Sequence, residues 1–196
     1  MIVVTGAAGF IGSNLITGLN QKRYRDIVLV DDFSRSERER NYLGKQYTSL
    51  IHRKHLPDWI RKNHRLTEII IHLGARTDTT EPSWAVFEEM NLNYSKTLFN
   101  LCVELGIPLI YASSAATYGN GSLGFDDSHE IVSKLKPLNP YGRSKNDFDR
   151  WVLEQRAHPF YWAGLKFFNV YGPNEYHKGR MASVVYHTYQ QINETG

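Results

Sequence analysis

The chain has 196 residues, 41% of them hydrophobic, and a formal charge of +3 at pH 7, which fits a packed globular protein and excludes a chain kept disordered by low hydrophobicity and high charge. Its 23 Lys and Arg are nearly matched by 20 Asp and Glu, and they form no basic stripe with interleaved aromatics, so nucleic acid is not an expected partner. One cysteine, Cys102, excludes an internal disulfide and a cysteine metal centre; no apolar run reaches the roughly 20 residues of a membrane span, and the opening MIVVTG has no signal-peptide layout. A reducing cytoplasm is the expected compartment.

Ile2 to Thr5 is a β-branched run that predicts a buried parallel strand. A glycine-rich turn follows, and Phe10, Ile11, Leu15, Ile16 and Leu19 recur at helical spacing. Ile27 to Val30 predicts a second strand ending at Asp31-Asp32, whereas the charged stretch from Ser34 to Lys54 carries no clear period. Ile69 to Ile71 predicts another strand, and a helix is expected from about Pro82 to Leu105, stopped by Gly106. Within it, Cys102 reads as a small buried hydrophobe. Leu109 to Tyr111 predicts a strand running into Ser113-Ser114. A loop rich in Gly, Asp and Ser leads to about Pro140, then a helix from Tyr141 to about Gln155 and a strand from Gly164 to Phe168. Strands alternating with helices imply an α/β fold, a doubly wound parallel sheet of Rossmann-like type.

Gly6, Gly9 and Gly12 form G-x-x-G-x-x-G between the first strand and the first helix. Such a turn lets the backbone approach a pyrophosphate at a helix N-terminus, with Phe10 and Ile11 in the same turn. Asp31 closes the second strand, where a carboxylate accepts hydrogen bonds from an adenine ribose and favours NAD. Arg35, Arg38 and Arg53 follow and suit a 2′-phosphate, which favours NADP. NADP is expected, with NAD still open.

Tyr141 and Lys145 form Y-x-x-x-K and share a helix face at i, i+4. An ammonium beside the phenol is expected to lower the tyrosine pKa and so ready it as a general base. Ser113 and Ser114 stand at the carboxyl end of a strand, where ligands bind in open α/β sheets.

The glycine motif, the Ser-Ser strand end and Y-x-x-x-K, in this order, resemble the extended short-chain dehydrogenase/reductases that act on nucleotide sugars. Two longer segments, Leu109 to Gly119 and Phe168 to Pro173 continuing through Glu175, His177-Lys178-Gly179 and Met181 to Val184, are similar to the ADP-heptose 6-epimerases within that group. The resemblance implies catalytic Ser114, Tyr141, Lys145 and Lys178, the last a second acid/base. It implies cofactor contacts from Gly6, Gly9, Phe10, Ile11, Gly12, Asp31, Asp32, Arg38, Arg53, Leu73, Gly74, Ala75, Asn91, Lys145 and Val170. Substrate contacts would come from Ser114, Asn169, Lys178, Arg180 and His187. The reaction implied is inversion at C6 of ADP-D-glycero-D-manno-heptose through a 6-keto intermediate, supplying heptose for lipopolysaccharide core, in a homo-oligomer. The alternatives are a UDP- or dTDP-sugar 4-epimerase or a non-catalytic NAD(P)-binding module.

The chain departs from the family at Asp32, where Asn is usual, and at Arg180, where Ser is usual. Residues 1–168 are expected to form the NAD(P)-binding domain with its catalytic residues. Residues 169–196 would begin a substrate domain that the chain does not complete, and weak or absent turnover is expected on that account.

Overall fold

Val3 and Val4 are neighbours on one strand, point to opposite faces and are both fully buried, so the sheet that contains them is covered on both sides. The computed structural model describes all 196 residues. Its strands are β1 (Ile2–Thr5), β2 (Ile27–Asp31), β3 (Ser49–His52), β4 (Ile69–His72), β5 (Leu109–Ser114) and β6 (Trp162–Phe167). They form one sheet in the order β3-β2-β1-β4-β5-β6, and every pairing is parallel. Strand order reverses between β1 and β4, which opens a crevice at their carboxyl ends.

The helices are α1 (Phe10–Gln21), α2 (Leu56–Asn63), α3 (Trp84–Phe87), α4 (Tyr94–Leu105), α5 (Pro140–Leu153) and α6 (Val184–Thr195). On one face Val3, Val28, Val30, Ile70 and Leu109 pack with α2, α4 and α5 through Leu56, Ile60, Leu98, Phe99, Cys102, Phe148 and Val152. On the other, Val4, Ile27 and Leu29 pack with Ile16 of α1. Cys102 is a buried core residue, as its neighbours in sequence imply. The doubly wound α/β fold expected from the sequence is present.

β6 runs Trp162–Phe167 rather than the expected Gly164 to Phe168, and three other boundaries differ from the sequence reading. The helix expected from Pro82 to Leu105 begins at Trp84, after Pro82, and widens into a π-type turn over Glu88–Asn93 before continuing as α4. That wide turn turns Asn91 inward, where it is 1% exposed. Gly106 ends α4 in the left-handed conformation, φ 67°. The helix expected at Tyr141 starts one residue earlier, because Pro140 suits the first turn and the Asn139 side chain accepts the Gly142 N–H at 2.7 Å. The charged stretch holds a short 3₁₀ segment, Ser36–Asn41, and then β3 as an edge strand.

β6 is the other edge, and α6 has no buried residue. Leu165, Phe168, Val184, Val185, Tyr189 and Ile192 are all exposed. No helix is long and apolar enough to cross a membrane.

Candidate active site

The carboxyl ends of β1, β2, β4, β5 and β6 border one open cleft of about 1010 Å³. At its floor the chain turns sharply after β1. Gly6 adopts φ 67°, and a Cβ there would lie 2.8 Å from Gly74 Cα, so only glycine lets the loops after β1 and β4 touch. A Cβ on Gly12 would collide with the Gly6 carbonyl. Gly9 precedes α1 without any side-chain cap, which leaves the first N–H groups of the helix, at Phe10, Ile11 and Gly12, without intrahelical acceptors. Gly6, Gly9, Phe10, Ile11 and Gly12 all line the cleft. This cradle of free backbone donors fits the diphosphate of a dinucleotide.

At the end of β2, Asp31 accepts the N–H groups of Ala8 at 3.0 Å and Asp32 at 2.8 Å, and Arg38 stands 3.8 Å away. Burial raises its pKa while these contacts pull the other way. Asp31 therefore braces the glycine turn as well as facing the cleft. Asp32 is held by Ser34, through its hydroxyl at 2.6 Å and its N–H at 3.2 Å, and lies 3.7 Å from His52. Asp31, Asp32, Arg35, Arg38 and Arg53 line the same end of the cleft.

Leu73, Gly74 and Ala75 form the wall after β4. Beneath them runs a hydrogen-bonded series that sequence reading missed. The Gly74 N–H donates to Thr5 Oγ1 at 3.1 Å, Thr5 Oγ1 lies 2.6 Å from His72 Nδ1, and His72 Nε2 lies 2.9 Å from Ser95 Oγ. Ser95 in turn donates to the Asn91 carbonyl. Burial, and then the positive charge of Lys145, lower the His72 pKa to about 3. His72 is therefore neutral, and the network assigns its proton to Nε2.

The end of β5 divides the two serines. Ser114 faces the cleft with Tyr141. Ser113 is turned inward and donates to Asp149 Oδ2 at 2.5 Å. Asp149 also accepts from Lys166 of β6 at 3.0 Å, and Lys166 donates to Thr117 at 2.8 Å. This buried pair ties β5, β6 and α5 together below the site. Asp149 lies four residues after Lys145, and that i, i+4 spacing was the available sequence signal. Gly142 makes the approach of α5 possible, since a Cβ there would lie 2.7 Å from the Ala116 carbonyl.

Lys145 does not line the cleft. It is 5% exposed, behind Tyr141, and donates to the Ala112 carbonyl at 2.8 Å. Burial lowers its pKa to about 8, against the Asp149 carboxylate, which raises it. The expected lowering of the Tyr141 pKa is not found. Burial raises it, and the nearby Ser114 hydroxyl acts in the opposite sense. The lysine charge is engaged by Ala112 and Asp149 rather than by the phenol.

The opposite wall follows β6. Asn169, Val170, His177 and Lys178 line the cleft, and Lys178 Nζ lies 5.3 Å from the centre of the Phe10 ring. Glu175, 1% exposed, accepts the N–H groups of Gly172 at 2.8 Å and Ser183 at 2.6 Å, which closes the loop that carries Lys178.

Besides Lys145, three more expected contact residues lie off the cleft. Asn91 uses its side chain on the Arg76 N–H at 2.7 Å, the Arg76 carbonyl at 3.0 Å and Ser144 Oγ at 3.0 Å, so it joins the β4 loop to α5 and does not line the cleft. Arg180 points away to Thr80, bridging the loops after β4 and β6. His187 is exposed on α6 beside Tyr186.

A family model described as the NAD dependent epimerase/dehydratase family matches residues 2–196. An ADP-L-glycero-D-manno-heptose-6-epimerase of Fusobacterium nucleatum is 48% identical over an alignment that takes in 100% of this chain and 60% of that relative. A crystal structure of ADP-L-glycero-D-manno-heptose-6-epimerase from Helicobacter pylori superposes with a TM-score of 0.79 at 30% identity, over 94% of this chain and 60% of that one. The structure of MoeE5 in complex with UDP-glucose and NAD gives a TM-score of 0.67 at 29% identity, over 88% and 56% of the two chains. The chain thus spans about 60% of the length of the relatives it matches. By the match across its length, this chain belongs to the NAD dependent epimerase/dehydratase family.

Proposed function

We propose that the protein of which these residues form the cofactor-binding and catalytic part inverts C6 of ADP-D-glycero-D-manno-heptose, giving the L-glycero epimer. The observation that carries this reading is that Tyr141, Ser114 and Lys178 line one cleft together with the glycine turn. The names of the Fusobacterium and Helicobacter relatives support the substrate.

A nicotinamide dinucleotide held along the glycine turn and the end of β2 supplies the hydride acceptor and then the hydride donor, so the reaction has no net redox change. The protein's own part is proton transfer and positioning. Ser114 holds the C6 hydroxyl. One of Tyr141 and Lys178 takes its proton as the 6-ketone forms. Once the ketone has presented its other face, the other residue returns a proton to the oxygen. Two acid/base groups serve the two orientations that inversion requires. Lys145, buried one helical turn after Tyr141 and bonded to the Ala112 carbonyl, would hold its positive charge within the wall of the site rather than touch the cofactor. Asn169 meets the sugar and Val170 the cofactor.

We favour NADP as the dinucleotide, because Arg38 and Arg53 border the cleft beside Asp31, with NAD as the second choice suggested by the family description. Residues 1–168 act as the dinucleotide-binding domain, and 169–196 contribute to the substrate domain. The protein works in the cytoplasm as a homo-oligomer, supplying activated heptose for lipopolysaccharide. Size-exclusion chromatography with light scattering tests the assembly, and a monomer throughout would refute it.

The reaction is tested by incubating ADP-D-glycero-D-manno-heptose with NADP⁺ and following the C6 proton by NMR. The test uses this chain and a chimera completed with the remainder of the Fusobacterium relative. The L-glycero epimer is expected from the chimera. Conversion of a UDP-sugar by the chimera with none of the heptose would sink the proposal.

A further inference from the structure

Asn41 ends the 3₁₀ segment Ser36–Asn41, is polar, and is fully buried. Its side chain meets partners on two separate loops. Nδ2 donates to the Ala8 carbonyl in the glycine turn at 2.8 Å and lies 3.3 Å from His177 Nδ1. Oδ1 accepts the hydroxyl of Tyr176. Burial and then the charge of Arg38 hold the His177 pKa below its usual value and favour the neutral ring, whose Nε2–H tautomer lets Nδ1 accept from Asn41. Both amide protons and the carbonyl oxygen of Asn41 are thus used. Tyr176 is fixed further by the Arg40 guanidinium, 3.0 Å from its ring centre. Tyr176 and His177 immediately precede Lys178.

The foot of the same loop is anchored separately. Asn14 donates to the Pro173 carbonyl at 2.8 Å, and Asn174 donates to Ser13 Oγ at 3.0 Å, both on α1. The crown, next to Lys178, reaches the glycine turn through Asn41.

We infer that Asn41 is a positioning residue that couples the glycine turn to Lys178, so that a dinucleotide diphosphate seated on the turn orders the acid/base loop. The ligand half of this inference rests on the dinucleotide site proposed above. Coupling of this kind is reciprocal: whatever fixes the loop also tightens the turn on its ligand. It makes the second acid/base group available only where the cofactor is in place.

Trypsin reads this directly, because it cleaves after Lys178 and after the exposed Arg180, with exposed Arg156 as a distant control. Without ligand, Asn41→Ala is expected to be cut several-fold faster than wild type at Lys178 and Arg180, with Arg156 unchanged. Saturating NAD⁺ or NADP⁺ is expected to protect the wild-type loop and to leave Asn41→Ala, though it binds, unprotected. Tyr176→Phe removes the Asn41–Tyr176 arm and leaves the contact with His177, so it should lose part of the protection, and Tyr176→Phe added to Asn41→Ala should raise cleavage no further. Wild-type cleavage rates in both single variants would overturn the inference. Faster cleavage with undiminished ligand protection would overturn it too, as would an equal rise at Arg156. If neither dinucleotide binds wild type, the proposed cofactor site fails instead, and the ligand-free rates alone decide whether Asn41 anchors Lys178.

Discussion

Tyr141 carries a phenol whose pKa burial raises, against a smaller downward pull from the neighbouring Ser114 hydroxyl. It is therefore a neutral acid at physiological pH, and the proposed reaction requires a bound cofactor or substrate to draw it toward the phenolate. Tyr141→Phe keeps the ring and its packing near Phe87, 6.4 Å between centres. Turnover by the chimera is expected to fall by about 10²–10⁴-fold while dinucleotide affinity stays within a few-fold, measured by single-turnover kinetics and titration. Undiminished turnover would remove Tyr141 from the mechanism. Arg38→Ala or Arg53→Ala should weaken NADP⁺ by about tenfold or more, from the loss of a charge-assisted hydrogen bond worth roughly 1.5–3 kcal/mol, and weaken NAD⁺ less. Equal losses in calorimetry for both dinucleotides would mean that neither arginine reads the 2′-phosphate. Residue identities were legible where spacing carries chemistry, as in the glycine motif and Y-x-x-x-K. Direction was not legible. A strand end offers two serines on opposite faces, and only packing shows that Ser113 turns to Asp149 while Ser114 meets Tyr141. Asn91, Arg180 and His187 were assigned by motif position, but their side chains are turned to Arg76, to Thr80 and to solvent.

α5 supplies Tyr141 and Lys145, so its first turn sets the site. The cap from Asn139 and the close approach allowed by Gly142 act on that turn together. Asn139→Ala should cost about 1 kcal/mol, or a Tm about 2–4 °C lower in a chain of this size. Gly142→Ala should instead separate Tyr141 from Ser114 by pushing against the Ala116 carbonyl, so turnover should fall far more than Tm. A thermal melt beside an assay separates the two, and Gly142→Ala at wild-type turnover would contradict the assigned close contact. Strong apolar periods revealed β1, β2, β4, β5 and α1 in the sequence. The break between α3 and α4 was hidden, because a π-type turn keeps the same apolar residues and differs only in hydrogen-bond register. The stretch from Ser34 to Lys54 stayed unreadable for another reason. Its 3₁₀ segment is held by side chains that reach other loops, and β3 is a half-exposed edge with little apolar period.

At the scale of the molecule, titratable groups buried in the fold make its stability depend on pH. His72 sits among Thr5, Ser95 and Lys145, and its pKa in the fold is about 3 against an ordinary 6.5. A depressed histidine binds fewer protons folded than unfolded, so its contribution is fully present above pH 6.5 and is lost as pH falls from there toward 3. His177, also lowered, acts in the same direction. Asp31, raised by burial, acts in the opposite direction and enters only toward the acid end. Between pH 6 and 5 the unfolding free energy of wild type, from urea titrations followed by Trp fluorescence, should therefore drop by about 1.4 kcal/mol per pH unit for the His72 proton alone. His72→Gln is less stable at neutral pH because it disturbs the Thr5 and Ser95 contacts, but it has no proton to gain. Its slope over the same window should be shallower by about that amount, whatever its absolute stability. Equal slopes would mean that the buried imidazole is already charged, and the neutral tautomer assigned from its hydrogen bonds would have to be given up.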